Sequence, residues 1–111
     1  MPGLINTMPN PKQRSDSVVL ERTKLAPKEP EYCKVLLLND DYTTMEFVVE
    51  ILETVFQKTR SEALRVMMQV HNKGHGACGT YSHEVAETKV SMVHELARQH
   101  SFPLRASLER E

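Results

Sequence analysis

The sequence lacks several features that mark particular protein classes. It has no excess of positive charge, because 14 Lys and Arg residues stand against 15 Asp and Glu residues, so nucleic acid is not an expected partner. No apolar run approaches the roughly 20 residues that a membrane-spanning helix needs. The N-terminal MPGLINTMPN lacks the charged and apolar segments of a secretion signal, so we expect a cytoplasmic protein.

Cysteine is also scarce. Cys33 and Cys78 could form one disulfide, but a chain without an export signal is expected to work in a reducing compartment, where thiols stay reduced. The length of 111 residues suits one domain, and the hydrophobic content of 40% predicts a small core.

Residues 1–30 differ in composition from the rest of the chain. They hold five of the six prolines, no aromatic residue, and five basic against three acidic side chains. Such a segment cannot bury enough apolar surface to offset the conformational entropy that it would lose on folding. We therefore predict a flexible N-terminal extension over residues 1–30 and a folded domain over residues 31–111.

The folded part begins with a strand pattern and continues with two helix patterns. Tyr32–Leu38 is short, apolar and rich in β-formers, which predicts a buried strand. Thr43 and Glu46 fit a capping box at the start of a first helix. Ser61 is the predicted N-cap of a second helix, and Gly74 is predicted to end it.

Three more elements follow. A short strand is predicted near Ala77–Tyr81, and Ser82 is the predicted N-cap of a third helix that stops before Pro103. The alternation in Leu104–Leu108 predicts a last strand. The order β-α-α-β-α-β predicts an α+β fold, in which a three-stranded antiparallel sheet packs against three helices.

The most unusual local feature is the polar turn Asn39-Asp40-Asp41 between two apolar segments. On the second helix Met67, Val70 and His71 share one face. If the first two helices pack side by side, an apolar cleft can form between them, with the turn and His71 at its rim. Core packing and complementation of the helix dipole are the plainer explanations for the same helical residues.

Two enzymatic alternatives stay open at this point. Three histidines and a cysteine fall within 13 residues, and imidazole and thiolate groups suit zinc, although the spacing fits no standard zinc motif. These residues are His71, His75, Cys78 and His83. Cys78 beside a histidine could also be a nucleophile, whereas a small buried cysteine is the plainer explanation.

Longer motifs are more specific than these clusters. The segments YCKVLLLNDDYTTMEFVVEIL, MMQVHNKGHGACGTY, EVAETKVSMVHELAR and FPL resemble, in this order, the ClpS family of bacterial adaptors. The resemblance runs from about Tyr32 to the C-terminus. It implies a non-enzymatic adaptor, without cofactor or metal, that delivers N-end-rule substrates to the ClpAP protease. Such substrates begin with Leu, Phe, Tyr or Trp.

The resemblance also implies roles for individual residues. Asn39, Asp40 and His71 take positions that bind the substrate's free α-amino group, and Asp41 lies at the rim. The positions that build the side-chain pocket, with Met45 as a steric gate, are Thr43, Met45, Val48, Met67, Val70 and Leu104.

A second surface is implied for the unfoldase. Glu84 and Lys89 take positions implicated in docking on the N-domain of a ClpA-type AAA+ unfoldase. The extension before Glu31 resembles a segment that helps to pass the substrate to the unfoldase pore. A monomer that also changes the unfoldase's choice of other substrates is expected. A ClpS-like domain whose pocket no longer binds substrates would keep only that regulatory role. The residues that argue against this alternative are the intact Asn39, Asp40, Met45 and His71.

Overall fold

Residues 31–111, the part of the chain that the computed structural model describes, form three strands and three helices. The elements are β1 (Tyr32–Leu38), α1 (Met45–Thr54), α2 (Arg60–Lys73), β2 (His75–Ser82), α3 (His83–Gln99) and β3 (Arg105–Arg110). The predicted α+β class and element order are confirmed. The predicted flexible extension, residues 1–30, lies outside the described residues.

Strand β1 is the centre of an antiparallel sheet with the order β2-β1-β3. Its alternate residues Cys33, Val35 and Leu37 are buried and belong to one core cluster with the helices. Because successive side chains of a strand point to opposite faces, one face of the sheet lies on this core.

The start of α1 differs from the prediction. Its N-cap is Thr44, whose hydroxyl oxygen accepts a hydrogen bond from the backbone N–H of Phe47 at 3.1 Å. The predicted capping box of Thr43 and Glu46 is wrong, because the Thr43 hydroxyl donates to Asp40 instead. The helix therefore begins at Met45.

The start of α2 also differs, whereas its end is as predicted. Thr59 rather than Ser61 is the N-cap, and its side chain and that of Glu62 form the two reciprocal bonds of a capping box, each at 3.2 Å. Gly74 has a φ of 91°, the left-handed conformation that ends many helices, and its N–H donates to the Val70 carbonyl.

Helix α2 lies directly on strand β2 at Gly76. A Cβ atom added to Gly76 would lie 2.8 Å from Val70 Cγ2 and 3.2 Å from the Val66 carbonyl oxygen. Contacts this short are repulsive, so only glycine permits the observed distance between helix and strand. Gly76 thereby sets the position of the α2 face that carries Met67 and Val70.

Helix α3 completes the core. Ser82 is its N-cap, as predicted, and Ala86, Val93 and Ala97 are buried on its inner side. Phe47 of α1 packs against Phe102, after α3, with ring centroids 4.9 Å apart. Among residues 31–111 no helix has the length and apolar character required to cross a membrane.

Candidate functional site

The polar turn after β1 is fixed against the end of α2. The backbone N–H of Asn39 donates to the Gly74 carbonyl oxygen at 2.9 Å. This bond holds the turn beside the last helical residues of α2. Its acceptor, Gly74, is three positions after His71. Two segments that are far apart in the sequence are thereby brought together.

The Asp40 carboxylate organises the turn. Its Oδ1 accepts the backbone N–H groups of Tyr42 and Thr43 at 2.8 and 2.7 Å, and its Oδ2 accepts the Thr43 hydroxyl at 2.7 Å. A carboxylate offers about four lone-pair positions, so these bonds leave one position, on Oδ2, for a ligand. Thr43 therefore orients the carboxylate in addition to lining the site.

These hydrogen bonds also set the charge of Asp40. Burial alone would raise the pKa of Asp40, but donation from the Thr43 backbone, the Thr43 hydroxyl and the Tyr42 backbone outweighs it. The net effect lowers the pKa from its usual 3.8. Asp40 consequently carries its negative charge at neutral pH.

A cleft of about 260 Å³ opens between the polar turn, α1 and α2. Its polar lining consists of Asn39, Asp40, Asp41, Thr43 and His71, and its apolar lining consists of Met45, Val48, Met67 and Val70. The volume is below the roughly 300–1,000 Å³ of pockets for drug-sized ligands, so the cleft suits a small group such as one amino-acid residue.

The apolar walls come from two helices. Met45 is the first residue of α1 and Val48 follows one turn later, whereas Met67 and Val70 face them from α2. Val48, Met67 and Val70 are buried, but Met45 is 44% exposed. Met45 therefore lies at the mouth, with the other three side chains deeper inside.

Comparison with known proteins places this chain among protease adaptors. Residues 28–107 match the family model described as ATP-dependent Clp protease adaptor protein ClpS. The ClpS 1 adapter of Rhizobium meliloti (strain 1021) is 55% identical over 93 residues, which are 84% of this chain and 80% of that protein. The chain belongs to the ClpS family.

Further relatives agree with this assignment. The ClpS adapter of Rhodospirillum centenum is 53% identical over 93 residues, covering 84% of this chain and 86% of that protein. The solved structure of Agrobacterium tumefaciens ClpS2 bound to L-phenylalaninamide superposes with a TM-score of 0.72 at 38% identity, over 75% of this chain and 100% of that chain. As a ClpS-family protein, the chain is an adaptor whose partner is a Clp protease.

Leu104 is the predicted pocket residue that does not line the cleft of this ClpS-family protein. It is buried, and it borders a separate groove of about 540 Å³ beside His94, Phe102 and Arg105. The structure thus brings nine of the ten predicted binding and pocket residues together and leaves Leu104 in the core. The individual binding roles stay predictions.

The two predicted docking residues on α3 have different surroundings. Glu84 is exposed in the first turn of α3. Lys89 Nζ instead donates to the Val55 carbonyl oxygen at 2.6 Å and to Gln57 Oε1 at 3.2 Å, and it lies 5.2 Å from the centroid of the Tyr81 ring. The ammonium group complements the carboxyl end of α1, where the helix dipole is negative.

A neighbouring groove was not foreseen from the sequence. It has a volume of about 510 Å³ and adjoins the cleft, because Met45 and Met67 line both. Its remaining lining residues are Glu46, Val49, Glu50, Glu53, Arg60 and Leu64. The available signal was the helical spacing of the three glutamates, which puts them on one side of α1.

The enzymatic alternatives gain no geometric support. Within residues 31–111 no three His, Cys, Asp or Glu side chains come together as metal ligands. Cys78 is fully buried, and this burial raises the pKa of its thiol to about 12. A thiol that stays protonated and inaccessible is a poor nucleophile, because the thiolate is the reactive form.

Proposed function

We propose that this protein is a non-enzymatic adaptor for substrates that begin with Leu, Phe, Tyr or Trp. It binds the free α-amino group and the large side chain of that first residue and delivers the substrate to a Clp unfoldase–protease. The observation that carries the proposal is the cleft, with acceptors and a carboxylate beside buried apolar side chains. L-Phenylalaninamide, bound in the A. tumefaciens ClpS2 structure, combines a free α-amino group with an aromatic side chain.

The polar end of the cleft suits an ammonium group. An α-amino group titrates near pH 7.7–8.0, so at neutral pH it is mostly charged and has three N–H bonds. The cleft offers three acceptors: the Asn39 carboxamide oxygen, the remaining lone pair of Asp40 Oδ2, and a ring nitrogen of the His71 imidazole. An internal residue has one amide N–H and no charge, so it cannot satisfy these groups.

The free energies indicate that both parts of the first residue are needed. A carboxylate about 4 Å from an ammonium contributes about 1 kcal/mol in water and about 4 kcal/mol at an effective dielectric constant of 20. Burying a Leu or Phe side chain contributes roughly 1.5–3 kcal/mol. Association itself costs about 4 kcal/mol or more, so either contribution alone gives weak binding.

Met45 is the proposed steric gate against β-branched residues. Val and Ile carry a second heavy atom on Cβ, which would meet the mouth of the cleft where Met45 lies. Replacement of Met45 by Ala should therefore admit peptides that begin with Ile or Val, while Leu and Phe peptides still bind. Continued exclusion of Ile and Val in a peptide titration would refute the gate.

The deciding experiment is a titration of the full-length protein with four matched peptides. They combine a free or acetylated N-terminus with Phe or Ala as the first residue, and the rest of the peptide is identical. We expect micromolar or tighter affinity for the free Phe peptide only. Equal affinity for the acetylated Phe peptide would overturn the proposed recognition of the α-amino group.

Delivery is proposed to use the α3 surface around Glu84 and the N-domain of a ClpA-type AAA+ unfoldase. Glu84 is exposed and therefore accessible to a partner. In the same proposal the protein acts as a cytoplasmic monomer, residues 1–30 help to pass the substrate to the pore, and adaptor binding changes the unfoldase's choice of other substrates. Glu84→Lys should weaken complex formation with the unfoldase and leave the affinity for the Phe peptide unchanged.

A further inference from the structure

We propose that Met45 is a site of reversible oxidation by peroxides, and that its sulfoxide lowers the affinity of the adaptor for its substrates. This inference rests on the proposed binding of a first residue in the cleft. It adds a modification site that would disconnect the adaptor from its substrates during oxidative stress.

Met45 is accessible to an oxidant, whereas its neighbour in the cleft is not. Met45 is 44% exposed and Met67 is 9% exposed, although both line the cleft. Peroxide must reach the thioether sulfur directly, so oxidation should select the methionine at the mouth. The deeper wall of the cleft then remains unmodified.

The oxidation is a balanced two-electron step. A lone pair of Met45 Sδ attacks one oxygen of hydrogen peroxide, the O–O bond breaks, and an S–O bond forms. The sulfur is oxidised, the peroxide is reduced, and the second oxygen leaves as water with both protons. Methionine sulfoxide reductases return the sulfoxide to the thioether, which makes the modification reversible.

The surroundings of Met45 make its sulfoxide unfavourable for ligand binding. The new oxygen is a hydrogen-bond acceptor with partial negative charge, and Asp40, Asp41 and Glu46 in the lining of the cleft and adjoining groove carry carboxylates. The hydroxyl of Thr43, close in sequence, already donates to Asp40. A substrate side chain entering the cleft would cover this oxygen without supplying a donor, at a cost in affinity.

The chain provides matched controls for this site. Met68 and Met92 are 43% and 42% exposed, close to the value for Met45, and neither lines the cleft. They should be oxidised at similar rates without an effect on binding. A Met68→Leu/Met92→Leu double variant therefore retains the proposed site, and a Met45→Leu variant removes it.

The experiment uses the full-length protein, treated with hydrogen peroxide and then titrated with a Phe-first peptide, while peptide mass spectrometry locates each sulfoxide. We expect oxidation of Met45 to weaken binding of the wild type at least about tenfold, and methionine sulfoxide reductases to restore it. The Met68→Leu/Met92→Leu variant should respond like the wild type. Met45→Leu should keep, after treatment, the affinity that it had before.

Two results would overturn this inference and leave the proposed function intact. The first is unchanged affinity of wild-type protein whose Met45 is fully oxidised. The second is a loss of affinity in peroxide-treated Met45→Leu that equals the loss in the treated wild type. The second result would assign the effect to oxidation of another residue of the chain. Absence of binding before any treatment would instead overturn the proposed function, and the oxidation site with it. The untreated titration thus separates the two failures.

Discussion

The cleft between α1 and α2 and the surface of α3 around Glu84 and Lys89 are built in different ways. In the cleft, residues from a turn and two helices converge on one volume. On α3, Glu84 faces solvent, whereas the ammonium group of Lys89 lies against the end of α1. Two residues predicted to bind the same partner can therefore differ in their accessibility to it. Glu84 is accessible, whereas Lys89 is already hydrogen-bonded within the fold.

Among the substitutions that test the difference between the two regions, removal of the Asp40 side chain should have the largest effect, which is on peptide affinity. Asp40→Ala eliminates the carboxylate that we propose to bind the ammonium group, and with it the acceptor of three turn hydrogen bonds. We therefore expect a loss of roughly 2–4 kcal/mol in affinity for a Phe-first peptide. Asp41→Ala, in the same turn but exposed, is the matched control and should change affinity by less than about 1 kcal/mol.

A third variant distinguishes charge from turn structure. Asp40→Asn retains an oxygen for the backbone N–H groups of Tyr42 and Thr43 but removes the negative charge. It should unfold near the wild-type temperature and still bind the peptide poorly. Wild-type affinity in both Asp40 variants would show that the turn does not receive the α-amino group.

The position of α2 can be changed without altering the chemistry of the cleft. Gly76→Ala forces its Cβ against Val70 and Val66, so we expect destabilisation by about 1–3 kcal/mol and weaker peptide binding. Gly74→Ala is the control, because its Cβ meets nothing within 4 Å and only the φ of 91° is strained, at about 1–2 kcal/mol. Chemical denaturation and peptide titration of both variants separate steric displacement from backbone strain.

The two residues of the α3 surface should respond differently to substitution. Lys89→Met removes the bonds to Val55 and Gln57 and should lower the free energy of unfolding by about 1–2 kcal/mol. Glu84→Gln, at an exposed position, should stay within about 0.5 kcal/mol of the wild type. Equal melting temperatures of the two variants would contradict the structural role of Lys89.

The smallest expected effect is a change in acid stability. Because folding lowers the pKa of Asp40 below 3.8, its contribution is present above the unfolded pKa and is lost as the pH falls through the folded value. Thr43→Val removes one donor, so the folded pKa should lie closer to the unfolded one. The pH-dependent contribution should then be smaller, and its loss should be complete at a higher pH than in the wild type. Thr44→Val removes an N-cap bond without a titratable partner, and its cost should be independent of pH in unfolding titrations.

Local patterns in the sequence predicted the elements well and their exact starts less well. The strand Tyr32–Leu38 was predicted with the observed bounds, because the polar turn that follows the apolar run marks the end of the strand. Thr43 and Thr44 are both good N-caps, and only the bond from Thr43 to Asp40 decides between them. Similarly, both Thr59 and Ser61 are suitable N-caps of α2, and the structure has the capping box at Thr59 rather than the single N-cap bond predicted at Ser61.

The site could be foreseen only in part from residue spacing. The common face of Met67, Val70 and His71 follows from helical periodicity, and the specific motifs supplied the remaining lining residues. The contact of Lys89 with Val55 joins residues 34 positions apart, and no local pattern contains it. The close approach at Gly76 likewise depends on the packing of a helix on a strand, which no local pattern contains.

The hydrogen bond from the Asn39 backbone N–H to the Gly74 carbonyl oxygen can be used to follow the opening of the cleft by NMR spectroscopy. It joins the polar turn to the end of α2, so the exchange of this backbone amide proton with solvent measures how often these two sides of the cleft separate. A bound first residue that holds both sides should slow that exchange, and a ligand that touches only one side should leave it unchanged. The exchange rate of this one amide proton can therefore distinguish a ligand that contacts both sides of the cleft from a ligand that contacts only one side.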